Sequence, residues 1–227
     1  MPKKPRDQRT NSELHSDSKT LWYELEMLFG VAQEYTASRS TTCHNACIES
    51  FAIHCRALIF FYYAHAGEIS AGGVVEKFGQ CRDTDVIAVD FAANWNTKSP
   101  APTSILVESK KQADKQIAHI TTDRRELNQP GGTLTAGWNL AEICQELAKI
   151  TFTFLQAVPE INLLPDERQR MKSLISPFLP RIPDPASSIV AIPVLSGPWR
   201  TPFNLATDVS TTSTHSAYNL QGRTSPQ

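Results

Sequence analysis

Apolar residues recur along most of the chain at the spacing of helix faces, and the alternation expected of half-buried strands is rare. Leu21, Leu25, Leu28 and Ala32 repeat every three or four positions and predict an amphipathic helix ending near Ala37. The Ser/Thr-rich stretch that follows can supply an N-cap, and a second helix is predicted from about Thr42 to Ala66, a span free of Gly and Pro. Advancing 100° per residue brings Cys47, His54, Cys55, Leu58, Tyr62 and His65 within about 40° of Phe51. Ile53, Phe60 and Tyr63 lie opposite, so this helix reads as apolar nearly all round and surrounded by protein.

Gly67 and the Gly72-Gly73 pair stop the second helix, and the stretch to Pro102 reads as loop-rich with a short helix or turn at Asp83 to Ala92. A third helix is predicted from about Thr103 to Ile120, with a further turn through DRREL. A fourth, from Trp138 to Val158, carries Leu140, Ile143, Cys144, Leu147, Ile150, Phe154 and Leu155 at helical spacing. Pro165 suits the first turn of a short fifth helix, LPDERQRMKSLI. The fold class is therefore all-α, a helical bundle of four to five helices over residues 18–178. Residues 1–17 lack periodicity and read as a disordered tail. Residues 179–227 hold 7 Pro, 7 Ser and 6 Thr, too many to bury a core easily, and read as a second tail. Within it the β-branched IVAIPVL segment is suited to lie extended in a groove, Pro193 excluding a central strand.

Composition narrows the function classes. The chain has 227 residues with 22 Lys and Arg against 23 Asp and Glu, a net charge of -1 that gives no global attraction to nucleic acid or anionic lipid. A protein partner or self-association is the expectation, and RNA has no support from charge. No phosphate-cradling Gly-rich loop occurs, and no organic cofactor is implied. The longest apolar run, Ala57 to Ala66, is about half the length a membrane span needs. With a polar start lacking an apolar signal region, the expected location is the cytoplasm. Five cysteines, Cys43, Cys47, Cys55, Cys81 and Cys144, are too few for a disulfide framework and are expected to be thiols. Cys47 and His54 are two helical turns apart, too far to share one zinc ion, so no metal is expected.

Two polar strings break the apolar pattern. In ESFAIHCRALIFFYY the charged or titratable Glu49, His54 and Arg56 interrupt the second helix, and burial would require each to have a partner on another element. Asp85, Asp90 and Arg124 are the candidates. Such groups fix helix register, or they line a binding pocket formed by Glu49, Arg56, Asp90, His119 and Arg124. In KQADKQIAHITTDRR, Gln112, Lys115 and His119 share a face with Glu108. A histidine one turn from a lysine is disfavoured as a cation and available as a base; the same residue at a helix end also serves as a cap. The candidate catalytic residues are therefore His119, Lys115, His54 and Arg56.

These strings carry a resemblance. Glu49, Ser50, Phe51, Ile53, His54, Arg56, Leu58 and Phe61, then Ile117, Ala118, His119, Thr121 and Arg124, then Trp138, make the chain from Leu21 to Val158 resemble a group of small helical bacterial proteins of uncharacterised function. That resemblance implies an all-helical fold and brings no activity. More distantly the chain is similar to the HEPN superfamily of helical bundles, many of which are ribonucleases with an Arg-x(4-6)-His motif on a late helix. Here Lys115 stands four residues before His119, and no Arg lies at the motif's spacing.

Overall fold

The structure is a computed structural model that describes residues 8–38, 40–78, 81–118 and 138–180. All of these lie in one compact unit, Met1–Ser188; a second unit, Ile189–Gln227, lies outside them, as does nearly all of the predicted C-terminal tail with its IVAIPVL segment. His119, Arg124 and the DRREL turn also lie outside the described residues.

The fold is mostly helical. Among the described residues the helices are α1 (Asn11–Ala37), α2 (Thr41–Tyr63), α3 (Ala88–Phe91), α4 (Trp95–Lys98), α5 (Ser104–Ala118), α6 (Leu140–Ala157) and α7 (Pro165–Ile175). Between α2 and α3 the strands β1 (Glu68–Ala71) and β2 (Val74–Lys77) pair antiparallel, Glu68 opposite Lys77 and Ala71 opposite Val74. This hairpin corrects the loop expected there. Gly72 and Gly73 take φ of 56° and 83°, the left-handed pair that a tight two-residue turn requires. They join two strands within the stretch expected to be loop-rich.

Helix α1 starts ten residues before Leu21, which corrects the expected tail over 11–17; residues 1–7 lie outside the described residues. Thr10 accepts a hydrogen bond from the Glu13 N–H, while the Glu13 carboxylate accepts from the Thr10 N–H at 2.7 Å, a reciprocal cap for the first turn. The buried stripe then runs Leu14, Ser18, Leu21, Leu25, Leu28, Ala32, Tyr35, unbroken at helical spacing.

Helix α2 packs against α1 and α5, with further contacts to α3 and α6. It is not enclosed on every side: Glu49, Ile53 and Arg56, at intervals of four and three, form an exposed stripe. The core beneath is aromatic. Phe61, Tyr62, Phe91, Trp95 and Phe154 meet mostly edge to face, with ring centroids 5.0–6.0 Å apart. Its polar atoms are satisfied internally. The Trp95 indole N–H donates to the Tyr62 carbonyl at 2.8 Å, and the Thr151 hydroxyl donates to the Leu147 carbonyl at 2.6 Å. Because that bond uses the Thr151 proton, the Tyr62 hydroxyl is the donor in its own 2.8 Å bond to Thr151.

Helix α7 closes the end of α6. Pro165 sits in its first turn, and Arg168 donates to the carbonyls of Leu155, Val158 and Pro159, groups that a helix end leaves without internal partners. Ser18 of α1 donates to Glu167, which ties α1 to α7.

Candidate functional site

Arg56 lies on the outer stripe of α2 with its side chain 57% exposed, and its Nε donates to Asp114 of α5. The predicted burial of Arg56 is therefore corrected, and so is its predicted pairing with Asp85 or Asp90. On the 100° wheel it stands about 140° from Phe51, on the rim of the helix rather than in its buried face.

The buried cation of this region is Lys110 rather than Arg56. Lys110 of α5 is 5% exposed, and its Nζ lies 3.0 Å from Glu76 Oε1 on β2 and 2.6 Å from Asp114 Oδ2. Its ammonium also stands 5.3 Å from the ring centroid of Phe78. Asp114 thus accepts from Arg56 through one oxygen and from Lys110 through the other. Four charged side chains join α2, α5 and the hairpin. The signals were a Lys-Asp pair one helical turn apart and an alternating EISA-GG-VVEK pattern; neither says by itself that the lysine is covered.

His54 faces another element. It is buried at 7% exposure, its Nδ1 is 2.8 Å from Glu24 Oε2 on α1, and the Tyr23 ring meets it edge-on at 5.6 Å. A carboxylate only accepts, so Nδ1 carries the proton of that bond. His54 and Arg56, two residues apart, are consequently directed to α1 and to α5.

A third cluster ties the start of α1 to the loop before α3. Arg9 donates to the carbonyls of Thr84 and Asp85 at 3.4 and 3.0 Å, and pairs with Asp17 at 3.1 Å and Asp90 at 3.4 Å. Asp90, with a side chain 7% exposed, also accepts from the Ile87 N–H at 3.0 Å. Burial raises the Asp17 carboxyl above its ordinary range, the nearby Arg9 partly countering it. Asp90 is thus paired with Arg9 rather than with a residue of α2.

Glu49 and Lys115 are exposed, on α2 and α5. The predicted site residues thus divide: Arg56 joins the α5 cluster, His54 the α1 contact and Asp90 the α1–α3 contact, while His119 and Arg124 lie outside the described residues. Among the described residues no three His, Cys, Asp or Glu side chains are grouped to hold a metal ion, and no helix is long and apolar enough to cross a membrane. Compared with family models, curated proteins and solved structures, the chain matches none of them.

Proposed function

We propose that the chain is a cytoplasmic helical-bundle interaction module without catalysis of its own, whose partner is another protein or a second copy of itself. The observation that carries this reading is the use made of the polar residues: Arg56, Lys110, Glu76 and Asp114 bind one another across three elements, and His54 binds Glu24 across two. Both oxygens of Asp114 and the Nδ1 of His54 are occupied by protein, which leaves those atoms committed to helix arrangement rather than to a substrate. Half-exposed Tyr23 and Ile53 beside His54 offer apolar surface of the kind partners cover.

The competing class is an RNA-binding protein or HEPN-like ribonuclease using His119, Lys115, His54 and Arg56. Incubating the purified full chain and its His119→Ala variant with mixed RNA separates the two. The module neither cleaves nor retains the RNA in either sample, whereas RNA cleavage or retention that depends on His119 overturns this reading.

A further inference from the structure

The first two turns of α2 carry Cys43 and Cys47 four residues apart, so both lie on one side of the helix. Cys43 is exposed, and Cys47, one helical turn further on, is 8% exposed. The other buried cysteines, Cys55 and Cys144, are fully covered at 0% exposure, and Cys81 is half-buried. Only Cys43 therefore stands open to solvent, with a buried cysteine one turn along the same side of the helix.

We propose that Cys43 and Cys47 form a thiol–disulfide exchange site, with Cys43 the residue that attacks and Cys47 the residue that resolves. The co-reactant is a small-molecule disulfide. The Cys43 thiolate attacks one sulfur of that disulfide, forming a mixed disulfide and releasing one thiolate. Cys47 then gives up its proton and attacks the Cys43 sulfur, forming the Cys43–Cys47 bond and releasing the second thiolate. The two protons lost by the protein end on the two small thiols. The protein is oxidised by two electrons and the small disulfide is reduced.

The order of attack follows from the surroundings. Burial, the contact with Cys43 and the charge of Glu34 all push the Cys47 thiol up, so it keeps its proton while the exposed Cys43 reacts. Helix geometry places the two Cα atoms about 6 Å apart, inside the roughly 4.4–6.8 Å that a disulfide spans. The Cβ atoms of such a pair are about 5–6 Å apart in a regular helix, against the roughly 3.5–4.5 Å of a disulfide. The bridge must therefore tighten the start of α2, where the Cys43 N–H is held by a long 3.4 Å bond to the Ser40 hydroxyl. A bridge under such tension is readily reduced again, as a reversible site requires.

The test treats the full chain with oxidised glutathione, blocks remaining thiols by alkylation and locates each modification by peptide fragmentation. Wild type is expected to gain the Cys43–Cys47 bridge with little glutathione retained, and reduced glutathione is expected to reverse it. Cys47→Ser, or Cys47→Ala should the serine prevent folding, is expected to accumulate glutathione on Cys43, whereas Cys43→Ser leaves Cys47 unmodified. Glutathione persisting on Cys43 of wild type with Cys47 still a free thiol would overturn the proposal, as would an unreacted Cys43. The wild-type measurement decides even if neither variant folds.

Discussion

Lys110 Nζ stands 3.0 Å from Oε1 of Glu76, so α5 is tied to strand β2 by an ion pair whose two side chains are 6% and 13% exposed. A lysine in that position is held by its carboxylates or not at all, because desolvating an ammonium without a partner is costly. The same hairpin meets α5 a second time through its turn, where Gly72 faces Ser104.

That second contact gives a backbone prediction. A Cβ at Gly72 would lie 2.9 Å from the Ser104 Cβ, and the residue's φ of +56° is itself unfavourable to side chains. Gly72→Ala should cost about 2 kcal/mol, combining left-handed strain with displacement of the turn from α5. Gly73→Ala, whose Cβ meets nothing within 4 Å, should cost about half as much. Denaturant melts of both variants check the ranking, and equal losses would mean that the Ser104 contact carries no weight.

A pH effect follows from His65. Burial lowers its proton affinity below the ordinary value, and its buried Nδ1 has no hydrogen-bond partner among the described residues. A histidine lowered on folding binds its proton more readily in the unfolded chain. Its contribution is present above the unfolded value of about 6.5 and is lost as pH falls through that value and on through the lowered folded one. Thermal melts at stepped pH should therefore show wild type losing more stability below about pH 6.5 than His65→Gln does. Parallel curves would remove the effect.

Arg168 supplies a geometric prediction. Its planar fork reaches three carbonyls, one in the last turn of α6 and two just beyond it, a pattern that a lysine's compact ammonium cannot reproduce. Arg168→Lys should cost about 1–2 kcal/mol in spite of the retained charge, and Arg168→Ala more. Hydrogen exchange should quicken first at the C-terminal turn of α6, and faster exchange spread evenly over the chain would argue against a local cap.

The long helices were legible because their apolar residues outnumber the alternatives on one face. Leu140 to Leu155 could be placed from spacing alone, and α6 runs Leu140–Ala157. The early start of α1 was also written in the chain, as Thr10 and Glu13 followed by Leu14, but a first turn rich in polar residues reads as tail unless the cap is recognised. The charged cluster was not legible. Arg56 stands among apolar neighbours in sequence yet reaches solvent, because neighbours in sequence point 100° apart on a helix. Lys110 stands in the polar string ESKKQADK and is covered, because β2 and Phe78 fold over it from more than thirty residues earlier. Such burial is a property of tertiary contact, and no local pattern records it.

The charges of α2 and α5 hold elements together, and comparing Lys110→Met with Arg56→Met in denaturant melts at neutral pH tests this most directly. Both substitutions keep an apolar stem and remove a cation. Lys110→Met leaves Glu76 and part of Asp114 covered and uncompensated, and should cost roughly 3 kcal/mol, the low end for breaking one side of a buried pair. Arg56→Met, at a side chain 57% exposed, should cost no more than about 1 kcal/mol. A Lys110→Met protein as stable as wild type, or an Arg56→Met protein destabilised as much as Lys110→Met, would contradict it.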